Sequence, residues 1–135
     1  MTAVVADPLV PTGVWPSTRR LRAALRANAV FSLVCGTVLL AAGWRVAEPW
    51  GLGPVGVPPA VGAGVAGFGA LVAWVAVQPT GPLVRWAALI VASDIAWVSG
   101  STVLMVWHPL PWPGAVAATV VAAAVAALVA AQIAG

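Results

Sequence analysis

Charge is nearly missing from this chain. Only 7% of its 135 residues are Asp, Glu, Lys or Arg, where soluble domains carry about 25%. A water-facing surface cannot be built from so few ionised groups, which excludes an ordinary soluble enzyme or binding domain. Lysine and tyrosine are absent, and the six basic residues are all arginine. A single cysteine, Cys35, excludes an internal disulfide and reads as a small apolar packing residue. With one histidine, His108, no Cys/His spacing can hold zinc, and neither a metal nor a cofactor is expected. No nucleophile elbow, phosphate loop or metalloprotease motif occurs. The run Gly62-Ala-Gly-Val-Ala-Gly67 lies inside an apolar span and is not a dinucleotide fingerprint. The net charge of +3 comes from arginines placed as membrane orientation would place them, so nucleic-acid binding is not expected.

What is present is apolar sequence in membrane-length pieces, with a mean hydropathy of +1.05. Spans at about 27–47, 60–78, 85–107 and 113–134 each match the roughly 17–25 residues that cross a ~30 Å hydrocarbon core. The first is too long for a cleaved signal peptide and reads as retained. Residues 1–18 carry Pro8, Pro11 and Pro16 without helical period and read as a flexible tail, with Ser17 or Thr18 as a helix cap. Residues 19–135 form the membrane domain. Its connections are short and rich in proline and glycine, which forces antiparallel neighbours. The expected fold is all-α: an integral membrane four-helix bundle, up-down-up-down, with short loops.

Five arginines (19, 20, 22, 26 and 85) fall at the N-terminus or in the second connection, against only Arg45 in the other loops, so both termini are expected in the cytoplasm. Trp44, Trp50, Trp107 and Trp112 at one boundary, and Trp74 and Trp86 at the other, read as aromatic belts. Arginine without lysine in an Ala-, Val-, Gly- and Pro-rich chain points to a GC-rich bacterial genome, and so to a bacterial plasma membrane.

One residue breaks the apolar pattern at depth. Asp94 lies near the centre of the third span, where an ionisable side chain costs roughly 2.5–3.5 kcal/mol on insertion scales and normally faces protein or a wet cavity. Trp97 follows on the same helical face, with Ser101 one turn further. Asn28, Ser32 and Cys35 share a face of the first span. With Arg26 and Arg85 at the boundary, a rise of 1.5 Å per residue puts Ser32 at about 9 Å depth and both Cys35 and Asp94 at about 13 Å. Ser32 or Cys35 can then meet Asp94, while Asn28, Gln78 and Gln132 are expected at the interface. No basic residue shares the depth of Asp94. Carrying its proton, the acid could donate a hydrogen bond between helices or act as a proton carrier. Asp94, Trp97, Asn28 and Ser32 are the candidate site residues. Small residues at packing spacing (Gly43, Ala60/Gly64, Ala63/Gly67 and the alanines of the last span) suggest close helix contacts, within the bundle or in a homodimer.

The stretch Asn28-Ala-Val-Phe-Ser32 with Gly36, then Asp94-Ile-Ala-Trp97-Val-Ser-Gly-Ser101, then Gln132, resembles a group of small bacterial four-helix membrane proteins of the actinobacterial type. The resemblance spans about residues 22–134. It implies the same architecture, points to Asn28, Asp94, Trp97 and Ser101 as matching positions, and brings no activity with it. Small multidrug exporters differ in carrying their essential acid in the first helix.

Three functions are compatible with these residues. An accessory or structural bundle would use Asp94 as packing glue toward a homodimer or a membrane-protein partner. An intramembrane enzyme would act on a hydrophobic small molecule, with Asp94 as general acid, Trp97 as a π-face and Asn28 or Ser32 as orienting groups. A transporter would use Asp94 to carry protons. A pocket of about 300 Å³ or more beside Asp94 separates the second from a solidly packed subunit.

Overall fold

The computed structural model describes residues 18–134, so all of the expected tail except Thr18 lies outside the described residues. Four helices follow in order, α1 (Thr18–Val46), α2 (Val57–Val75), α3 (Thr80–Trp107) and α4 (Trp112–Ala134), with no strand among the described residues. All four are long and apolar enough to cross a membrane. This is an all-α membrane bundle of two helical hairpins. The end holding the α2/α3 turn is the base of the bundle, and the end holding the other two loops is its mouth.

α1 begins nine residues before the apolar span at 27, because Arg, Leu and Ala are strong helix formers and its first turns bury Leu21, Ala24 and Leu25. α2 opens on Pro58 and Pro59, whose missing N–H groups cost nothing in a first turn. α3 starts at Thr80, five residues ahead of the expected span. Its last turn closes just before Pro109.

The hydrophobic core sits at the base, where Leu21, Leu25 and Ala29 of α1 meet Val72 and Val75 of α2 and Leu83, Ala87 and Ile90 of α3. Arg22 ties this end together: its guanidinium donates to the carbonyls of Ala76 (2.7 Å) and Gln78 (2.6 Å), which would otherwise be orphaned as α2 ends. Trp74 and Trp86 meet edge to face across the same turn, with ring centroids 6.0 Å apart.

α1 and α2 form the most intimate pair. A Cβ on Gly62 would stand 2.5 Å from Leu40 N and 2.7 Å from Gly36 O, so the two backbones are in direct contact there. Gly36 reciprocates against Ala66 and Gly62, while Gly43 packs on Pro58 and Gly69 on Leu33. Without a hydrophobic drive between helices in lipid, this close approach is what holds a seam together. The expected pairings of Ala60/Gly64 and Ala63/Gly67 are not the ones used, since nothing lies within 4 Å of a Cβ added at Gly64 or Gly67.

At the mouth, the α1/α2 loop folds over the start of α4. Gly51, in the left-handed region at φ +65, packs on Pro111, and Gly114 packs on the Trp50 carbonyl. This contact closes the α1/α4 side. α2 and α3 have no such clasp, and beyond Asp94 α3 has no buried residue.

Candidate functional site

Asp94 lies in the middle of α3 and is 5% exposed. Its partner is not Ser32 or the Trp97 indole but Asn28: the Asn28 amide Nδ2 donates to Asp94 Oδ2 at 2.7 Å. Ser32 joins one step removed, its Oγ donating to Asn28 Oδ1 at 3.2 Å. The two bonds form a chain that fixes the Asn28 amide in one orientation and links α1 to α3 across the bundle diagonal.

Asn28 is therefore not interfacial; it is 1% exposed. The depth expectation failed because it used Arg26 as the boundary marker. Arg22 is the residue level with the α2/α3 turn, and Asn28 stands about 9 Å above it along the helix. Gln132 is likewise buried, at 3% exposure. Its side chain bears on the Asp94 carboxyl, yet neither Nε2 nor Oε1 reaches hydrogen-bond geometry. The contact is thus an approach, not a formed bond. Gln78 stays near the base, its Nε2 donating to Trp74 O at 3.1 Å.

Directly toward the mouth from this cluster, the hairpins part around a half-open cleft of about 370 Å³. Asp94 and Ser32 lie at its polar end with Cys35 beside them, while Phe31, Phe68, Val65 and Val125 supply apolar walls. Trp97, 49% exposed, forms part of the rim. Gly64 lies on the α2 wall with open space beside it. Ser93 also lines the cleft, but its hydroxyl is committed to Leu89 O at 2.9 Å. Ser101 is half-buried further along α3 and does not line the cleft. A larger hollow of about 570 Å³ runs beside Gly81, Arg85 and Trp86. It is a depression on one exposed helix face where no polar groups converge, so the smaller cleft is the better candidate.

The site therefore unites Asp94, Asn28, Ser32 and Trp97 and adds Gln132. The signal that could have found Gln132 is its amide in a helix otherwise made almost wholly of Ala and Val. Among the described residues, no group of three or more His, Cys, Asp or Glu could hold a metal ion. This architecture defines a class, small four-helix membrane proteins with a buried acid beside an apolar cleft. Comparison with known protein families, curated proteins and solved structures finds no match.

Proposed function

We propose that this protein binds a lipid-soluble small molecule within the membrane, held in the cleft between the hairpins and contacted at its polar end by Asp94. The observation that carries this reading is the cleft of about 370 Å³ against a buried carboxyl. Small-molecule sites run from roughly 300 to 1,000 Å³ and are mostly apolar with a few convergent polar groups. A purely structural acid would sit in a packed centre. Asn28 occupies Oδ2, which leaves Oδ1 for the ligand, whether as hydrogen-bond partner or as general acid. The closed α1/α4 side and the unclasped α2/α3 side favour entry from the bilayer between α2 and α3. The arginine distribution supports a bacterial plasma membrane with the base, and both termini, in the cytoplasm.

A second reading has its own observation. The Asn28–Asp94 bond joins α1 to α3 across the bundle, so Asp94 also contributes to packing.

The test is ¹⁹F NMR on protein carrying 5-fluorotryptophan in lipid nanodiscs, with the Trp97 resonance assigned through Trp97→Phe. Added 1,1,1-triphenylethane should shift that resonance saturably and leave Trp107 in place. Gly64→Leu should abolish the response by filling the cleft. A Trp97 signal indifferent to neutral and charged probes of this size, or an undiminished response in Gly64→Leu, would overturn the proposal.

A further inference from the structure

We infer that the ligand class of the cleft is a lipophilic organic cation, such as a hydrophobic amine or onium ion; the inference rests on the cleft being a binding site. The groups that bear on the Asp94 carboxyl are two neutral amides, Asn28 and Gln132. Both can donate to a carboxylate, but neither brings a countercharge. A carboxylate so placed attracts a cation far more strongly than it would in water, because little solvent screens it. The walls are complementary. The chain has only two phenylalanines, Phe31 and Phe68, and both line the cleft with Trp97. Aromatic faces attract cations within about 6 Å, most strongly when water is excluded.

The other ligand classes fit less well. An anion would meet Asp94 with like charge and find no basic side chain in the cleft lining. A neutral hydrocarbon would gain the apolar contacts alone and leave the carboxyl where it was. A hydrophilic cation would lose its hydration against Val65, Phe68 and Val125 without replacement. A molecule with one positive charge and an apolar body satisfies both ends of the cleft. Gln132 backs this polar end: it is buried, and its neutral side chain bears on the carboxyl without adding a countercharge.

The test compares two isosteres, methyltriphenylphosphonium and neutral 1,1,1-triphenylethane, on the Trp97 ¹⁹F resonance in nanodiscs, each titrated by its concentration in the lipid phase. The cation should act at a concentration about tenfold or more lower than the hydrocarbon, as expected for a charge pair plus cation–π contact. Asp94→Asn should remove that preference while keeping the hydrocarbon response, which also shows that the cleft is intact. Equal affinities in the parent, or a preference undiminished in Asp94→Asn, would overturn the cation assignment and leave the cleft reading standing. A Trp97 signal moved by neither probe would overturn both. If Asp94→Asn loses both responses, Asp94→Glu decides: a retained preference supports the inference, and a cleft that binds only the hydrocarbon overturns it.

Discussion

Replacing Gly62 and Gly64 by alanine in turn should move stability in opposite directions, although the residues are two apart in sequence and chemically identical. At Gly62 the added methyl would meet Leu40 N at 2.5 Å, Gly36 O at 2.7 Å and Leu39 C at 2.8 Å, all backbone atoms of α1. Carbon contacts are optimal at about 3.5–4.0 Å, so α2 must withdraw by about 1 Å, and no side chain can turn aside to prevent it. Overpacking of this kind costs about 1–3 kcal/mol, and the rigidity of the obstacles places this case at the upper end. The propensity gain of Gly→Ala returns at most about 1 kcal/mol, for a net loss of about 2 kcal/mol in Gly62→Ala. Gly64→Ala meets nothing within 4 Å and keeps the propensity gain. The two variants should therefore differ by about 2–3 kcal/mol, or some 30- to 150-fold in the unfolding equilibrium. Titration of detergent-solubilised protein with sodium dodecyl sulfate, followed by circular dichroism, measures it. Coincident transitions, or a more stable Gly62→Ala, would refute the idea that direct backbone contact holds the α1/α2 seam.

Asn28→Leu should cost about 1–3 kcal/mol, because it leaves Asp94 Oδ2 buried without its donor. The double variant Asn28→Leu/Asp94→Leu should recover to within about 1 kcal/mol of the parent, since interhelical hydrogen bonds in bilayers average only ~0.6 kcal/mol. A double variant less stable than Asn28→Leu alone would contradict this in the same titration. For orientation, Leu52→Cys at the mouth and Gly81→Cys at the base, in a Cys35→Ala background, should label from the periplasmic and cytoplasmic sides respectively with an impermeant maleimide; the reverse pattern would invert the assigned topology.

The helix count and the antiparallel order were legible because each apolar run has membrane length and each connection carries Pro and Gly. Asp94 was legible as a buried residue because exposing a carboxyl to acyl chains is costly at any register. Its partner was not. Apolar runs record which residues are in the membrane but not how far one helix is shifted along another, and that shift depends on contacts made elsewhere. Here Arg22 binds the end of α2, and glycines 36, 43, 62 and 69 fix α1 against α2. Gly64 and Gly67 have the same small-residue character as Gly62 and Gly69. Only the rotation of α2 decides which pair meets α1, and in a helix apolar all round no amphipathic stripe announces that rotation. The cleft was illegible for a related reason: it is lined by residues from all four helices, and how far those helices part depends on their mutual packing rather than on the pattern of any one of them.

The position of Asp94 along α3 is what joins these parts. Toward the base, the buried face of the helix continues through Ile90, Ala87 and Leu83, packed among Leu25 and Val72. An acid at Ile90 would lie inside this apolar cluster and away from the cleft, whose lining on α3 is Ser93, Asp94 and Trp97. Toward the mouth, Val98 is only partly buried, and an acid there would lie a turn beyond Asn28. Asp94 occupies the last buried turn of α3, the one level at which a carboxyl is bonded to α1 on its packed side and borders the cleft on its open side. A residue used only as packing glue would gain nothing from bordering a cavity. A ligand-binding acid without Asn28 would have nothing to hold it in place. The two roles require the same turn of the same helix, so variants that keep the hydrogen bond and remove the charge are the ones that tell them apart.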